Sequence, residues 1–274
     1  MSQYRINFVG RNTLLVVAVL LGMSSSGAEA AVVAQWSFNE GSGNAADSSV
    51  GGYTGTLVGF ADTSAGVGNP VGGSGWTTDG RLNFDNSGSR VETDFPLSLL
   101  ANKSFTVEFT ASHNNAALSW SSVTGASAGN IFFLGKTAGN TSLHANLDAE
   151  VAGGLGRSFS DTNTTIADGE MHHVAVVFDD VADTQELFFD YESVNITAGV
   201  TGVLRSDGDL WIGLEGIGGG RFGWDGYIGE LRISDAVLGP DDFLVENEIP
   251  EPSTMILLGI GSLGLIGYRR RRQR

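Results

Sequence analysis

Apolar and polar positions alternate with a period of two in short runs along most of the chain. Ser104–Phe109 reads SFTVEF, Arg81–Phe84 reads RLNF and Tyr227–Ile233 reads YIGELRI. Successive side chains on a strand point to opposite faces, so these runs predict strands with one face buried. Similar or shorter apolar runs occur at Val32–Phe38, Asn130–Leu134, Ser142–Leu147, His172–Phe178, Gln185–Asp190 and Gly208–Gly213. Gly, Asn, Asp and Ser fill the intervals, as turns between strands require. No long stretch has the repeat of an amphipathic helix, and Pro240–Leu244 suggests only a short helical turn. Strands without helices bury their apolar faces against a second sheet. The expected fold is therefore all-β, an antiparallel two-sheet sandwich, with 15 Phe and 5 Trp to fill its core. A β-helix is the main rival, but no fixed repeat length is present.

Composition narrows this picture. The 274 residues allow one sizeable domain or two small ones, and 40 Gly against 5 Pro indicates many tight turns rather than a rigid linker. Between Ala31 and Ile249 there are 29 acidic and 8 basic side chains, a net of −21 (8 − 29). Such a surface repels phosphate backbones, so nucleic acid is not an expected partner. The absence of cysteine (Cys 0) removes disulfides, thiol nucleophiles and thiolate metal sites.

Both ends carry a different pattern. Arg5 and Arg11 precede the apolar stretch Thr13–Leu21, and Ala28-Glu29-Ala30 offers a small-x-small exit. This is the order of a secretory signal peptide over residues 1–30, cut after Ala30. At the other end Met255–Tyr268 is nearly all apolar or glycine, and Arg269–Arg272 and Arg274 follow it. Fourteen residues of helix span about 21 Å, short of the ~30 Å of a bilayer core. The expectation is a short terminal membrane helix giving transient inner-membrane anchoring, not a permanent one. Pro250-Glu251-Pro252, the apolar run and the arginine cluster together resemble the PEP-CTERM sorting signal of Gram-negative bacteria. That resemblance covers residues 250–274. It implies an exosortase as processing partner, cleavage near Pro250, Glu251 and Pro252, and delivery to the cell surface or extracellular matrix. Gly259-x-Gly261-x-x-Gly264 in the same run matches a dinucleotide fingerprint only by letter, because no βαβ unit surrounds it.

The body, residues 31–246, resembles the laminin-G-like, concanavalin A-like jelly roll of secreted bacterial proteins. Gln35-Trp36-Ser37-Phe38-Asn39-Glu40-Gly41 looks like its first strand and turn. Gly80–Asp85 with Val91-Glu92-Thr93, then Ser104–Phe109, follow in the family's order. Asp168-Gly169-Glu170-Met171-His172-His173-Val174 follows, with Met171 where the family usually has Trp, and Gly226–Ser234 closes the domain. The resemblance implies a structural calcium near the end of the first strand, for which Glu40 and Asp47 are the candidate ligands. The closing motif reads Gly229-Glu230 where the family often has Asp-Glu, so one ligand is missing.

Catalytic chemistry is harder to find. His172 and His173 are adjacent on a predicted strand, so they diverge and do not share a metal ion. Glycoside hydrolysis needs two carboxylates roughly 5–9.5 Å apart. Glu186, Asp190 and Glu192 share parity, but Asp190-Tyr191-Glu192 falls where the resemblance implies a turn. The cluster also lacks the Glu-x-Asp-x-x-Glu arrangement of related laminarinase-like hydrolases, and no G-x-S-x-G elbow occurs. Trp76, Trp120, Trp224 and Tyr227 are candidate sugar platforms, whereas Trp36 and Trp211 read as core. The expected function is a non-catalytic binding or structural protein of the cell surface or matrix, with extracellular polysaccharide or a surface protein as partner. A secreted glycan-acting hydrolase is the alternative.

Overall fold

A computed structural model describes residues 31–46, 50–61, 74–77, 81–114, 121–126, 129–136, 143–147, 149–150, 157–160, 164–199, 203–204, 208–214 and 223–244. Its strands, in chain order, begin with β1 (Val32–Trp36), β2 (Gly55–Val58), β3 (Gly75–Trp76), β4 (Leu82–Asp85), β5 (Arg90–Pro96) and β6 (Phe105–Ala111). The middle of the chain adds β7 (Ser121–Ala126), β8 (Gly129–Lys136), β9 (Leu143–Leu147), β10 (Ala149–Glu150), β11 (Arg157–Ser160) and β12 (His172–Asp179). The last are β13 (Thr184–Phe189), β14 (Glu192–Ala198), β15 (Val203–Leu204), β16 (Asp209–Ile212) and β17 (Asp225–Ser234).

Eight strands make one sheet in the order β14-β13-β12-β6-β17-β4-β3, with β1 joined to β17. β4 pairs with Asp225–Ile228 of β17, and β1 takes the Leu231–Ser234 half of the same edge. A second sheet has seven strands in the order β11-β9-β8-β7-β16-β5-β2, and β10 and β15 form a small ribbon. The pairings within the two sheets are antiparallel, as the alternating pattern requires.

One core fills the space between the sheets. Phe105, Phe109, Val176 and Ile233 of the eight-stranded sheet face Val91, Phe95, Leu210 and Ile212 of the other. Trp36 meets Phe95 edge-on across the gap, with ring centroids 6.2 Å apart. Gly226 shows how close the backbones come. At φ +147 its absent Cβ would lie 2.1 Å from the Ser112 carbonyl oxygen, so no larger residue fits between the ends of β6 and β17.

A second, smaller apolar cluster lies on the outer face of the eight-stranded sheet. The segment after β17 folds back across that face as a strap. Its Leu238 and Phe243 cover Ala175 and Val177 of β12 and Phe188 of β13. β6 supplies the rail: the Thr106 hydroxyl donates to the Ala236 carbonyl at 2.8 Å and accepts the Leu238 N–H at 3.1 Å. The 3-10 turn Pro240–Asp242 lies within this strap, where a short helical turn was expected.

The expected terminal helices require correction. Among the described residues the only helical elements are the two short 3-10 turns, Leu97–Leu100 and Pro240–Asp242. None is long and apolar enough to cross a membrane. Residues 1–30 and 250–274 lie outside the described residues. A transmembrane segment, a transient inner-membrane association and an anchored stage before release therefore have no structural support, and these expectations are withdrawn.

Candidate functional site

The outer face of the seven-stranded sheet is the opposite of the strapped one. On β5 the residues alternate, with Val91, Thr93 and Phe95 buried and Arg90, Glu92 and Asp94 turned outward. On β16 Leu210 and Ile212 enter the core, leaving Asp209 exposed and Trp211 half-buried on the outer face. Trp211 stands opposite Glu92 on β5 and opposite Gly125 on β7. The Arg90 guanidinium lies over the indole, its carbon 4.7 Å from the ring centroid. That guanidinium uses three of its five N–H donors. Nε donates to Glu92 Oε1 at 2.8 Å, Nη2 reaches the same oxygen at 2.5 Å, and Nη1 donates to the Gly88 carbonyl at 3.2 Å. Asp94 accepts the Thr54 N–H at 2.7 Å and the Thr54 hydroxyl at 3.0 Å, tying the start of β2 to β5. The result is an aromatic ring clamped by an arginine on the strand to one side, with a residue lacking a side chain on the strand to the other.

Further along the same sheet His144 on β9 is buried, and burial lowers its pKa to about 4. It stays neutral in the folded protein at ordinary pH.

The strapped face holds a buried ionic network. Glu108 of β6 is fully buried. It accepts Arg232 Nε at 2.6 Å, is paired with Arg232 Nη2, accepts the Leu244 N–H at 2.6 Å, and lies 3.0 Å from His173 Nε2. Arg232 also donates to the Asp242 carbonyl at 2.6 Å. The His173 ring stacks on Tyr191 with centroids 4.5 Å apart, and the Tyr191 hydroxyl donates to the Leu244 carbonyl at 3.0 Å. A buried carboxylate is tolerated when its lone pairs are filled in this way.

The paired histidines diverge as the strand geometry requires. His173 faces the strap, while His172 sits at the rim beside Phe189. His172 Nδ1 is 2.9 Å from Asp190 and Nε2 is 3.1 Å from Asp168. Burial works against the charged ring, but the hydrogen bonds and negative charge of Asp190 and Asp168 outweigh it and raise the pKa of His172. Burial likewise pushes against ionised Asp168, but the Glu170 N–H and His172 prevail and lower its pKa.

The other sequence candidates are dispersed. Asp190 and Tyr191 have φ of 47° and 70° and form the tight turn from β13 to β14, as the resemblance implied. Asp190 is spent on His172 and on the His173 N–H at 3.1 Å, and Glu186 accepts the Ser193 hydroxyl. Glu186, Asp190 and Glu192 are thus not brought together as a carboxylate pair. Trp76 and Trp224 are buried and donate to the carbonyls of Gly43 and Ser112, both at 2.9 Å, so neither offers a ring to a sugar. Tyr227 is half-buried, and Trp120 lies outside the described residues. Trp36 is core as expected, whereas Trp211, expected in the core, is the aromatic on the open face.

The calcium site is also corrected. Glu40 is exposed, Asp47 lies outside the described residues, and Glu230 is held by the Gln35 amide and the Ser37 hydroxyl. Among the described residues no group of three or more His, Cys, Asp or Glu side chains could hold a metal ion. Ala30, Pro250, Glu251 and Pro252 lie outside the described residues.

Residues 85–242 match the family model described as the concanavalin A-like lectin/glucanases superfamily, and residues 248–272 match the PEP-CTERM protein-sorting motif. The chain belongs to that superfamily, as a laminin-G/concanavalin A-like lectin domain fused to a PEP-CTERM sorting motif. No curated protein matches it by sequence. Among solved structures it is similar to domain 4 of AbnA, a GH43 extracellular arabinanase from Geobacillus stearothermophilus, in complex with arabinotriose. The TM-score is 0.54 at 17% identity, over 78% of this chain and 96% of that one. It is also similar to Trypanosoma rangeli sialidase in complex with sialic acid, with TM-score 0.51 and 12% identity, over 77% of this chain but only 31% of that one. A mutant of that sialidase displaying trans-sialidase activity gives TM-score 0.51 at 13% identity, over 77% and 32% of the two chains. These likenesses correct the expectation that the chain is not an enzyme. These solved structures belong to an arabinanase and a sialidase, and at 12–17% identity the likeness is one of fold.

Proposed function

We propose that the protein is an exported, surface-delivered glycan-engaging domain that holds polysaccharide on the outer face of its seven-stranded sheet, around Trp211. The observation that carries this reading is Trp211 itself. It is the one Trp with described burial that is not enclosed in the core, and it stands beside side-chain-free Gly125. Aromatic rings with a polar fringe are what concave-to-flat carbohydrate sites need, since the ring covers a sugar's C–H face while neighbouring polar groups meet its hydroxyls. Glu92, Asp94 and Thr56 supply that fringe on adjacent strands. Delivery follows from the sorting motif: a signal cut after Ala30, and exosortase processing at Pro250-Glu251-Pro252, would leave a mature domain of about residues 31–249.

A glycan-array measurement on the exported protein, repeated with Trp211→Ala, tests the reading. Binding to at least one polysaccharide that falls at least tenfold in the variant is the expected result, and arabinan oligosaccharides are the first ligand to try. Array-wide absence of binding would end it. The intact mass of the exported protein tests the processing.

A second reading, glycan cleavage on the same face, is favoured by Glu92 and Asp94. They are positions i and i+2 of one strand face, with backbones about 6.6 Å apart along the strand, and both side chains turn outward. Release of reducing ends that disappears in both Glu92→Gln and Asp94→Asn would select it.

A further inference from the structure

Resting on the glycan-engaging reading above, we infer that the ligand is an uncharged polysaccharide, and that polyuronates, sialylated chains and sulfated chains are rejected. The usual device for a glycan carboxylate or sulfate is an arginine whose fork is free to meet it. β2, β5 and β16 present one cation to the open face, Arg90. Three of its five N–H donors are already used, two on Glu92 and one on the Gly88 carbonyl. A bound anion would share Arg90 with the Glu92 carboxylate that already neutralises it and would face that carboxylate's charge. Glu92, Asp94 and Asp209 carry three negative charges on these strands against the single positive charge of Arg90. The body around them carries a net −21 (8 − 29) between Ala31 and Ile249. Near and far fields therefore agree in repelling an anionic polymer. Arg90 is left with a positioning role: it holds the indole of Trp211 upright and neutralises Glu92.

Affinity electrophoresis of the full exported protein in gels containing neutral arabinan, neutral β-glucan or polygalacturonate separates the outcomes. Retardation by a neutral polymer, with none by polygalacturonate, is expected. Glu92→Gln removes the carboxylate that occupies Arg90. It is expected to show retardation by polygalacturonate at low salt, where the parent shows none, and to lose it at high salt. Glu92 is 36% exposed, so this variant keeps the fold, and its melting curve checks that. Retardation of the parent by polygalacturonate that Arg90→Ala abolishes would overturn the inference and leave the glycan-engaging reading standing. Retardation by no polymer would overturn that reading itself. A folded Glu92→Gln protein that gains nothing would overturn the neutralising role given to Glu92.

Discussion

The two outer faces of the sandwich start from equivalent strands and end in different environments. β5, RVETDFP, and β6, FTVEFTA, both alternate apolar and polar residues and both send their apolar set into the common core. The polar set of β5 stays at or near the surface, while every residue of β6 is buried. The strap running from Ala236 to Leu244 makes the difference, because Thr106 and Glu108 turn inward to bind its backbone instead of water. A polar strand face is therefore not a surface by composition. It stays at the surface where no described segment covers it, and becomes a structural rail where one does.

Breaking the rail should have the largest effect. Glu108→Ala strips a buried carboxylate from Arg232, His173 and the Leu244 N–H. Breaking one side of a buried pair costs about 3–5 kcal/mol, to be read from urea unfolding. Glycan binding by the fraction that remains folded should be unchanged, because Trp211 is on the other sheet.

The next effect is acid sensitivity through His144. Its folded pKa is lowered to about 4, so the unfolded chain takes up this proton first as pH falls. Stability should be whole above about pH 6.5 and be lost progressively toward pH 4, by about 3 kcal/mol at most. His144→Asn should flatten that slope.

On the open face, Trp211→Ala should weaken glycan binding by about 2 kcal/mol, the scale of an aromatic hot spot, with little change in melting temperature. Titration calorimetry measures the first and thermal unfolding the second. The smallest effect belongs to His172, whose raised pKa gives the opposite sign. Its contribution is whole below about pH 6.5 and fades as pH rises through the folded pKa. His172→Asn should remove this shallow alkaline decline while leaving the acid limb of His144 in place.

The sandwich was legible because alternation is a property of the strands themselves. Even the turn at Asp190-Tyr191 was readable, through its place in the family's strand order. What stayed hidden depended on contacts between distant segments. Nothing in SFTVEF announces that Glu108 will be roofed over by residues more than a hundred positions later. Trp211 lies in DLWI, where an aromatic between two apolar residues reads as core until Leu210 and Ile212 claim the inward parity. Trp76 and Trp224 differ the other way: both are candidate sugar platforms in the sequence, but both are buried with their indole N–H groups bonded to backbone carbonyls. A parity count that treated Leu210 and Ile212 as the inward pair would have singled out Trp211.

Leu244 is gripped twice, its N–H by the Glu108 carboxylate and its carbonyl by the Tyr191 hydroxyl. Trp211 lies on the outer face of the other sheet, with the whole core between that ring and the Leu244 grip.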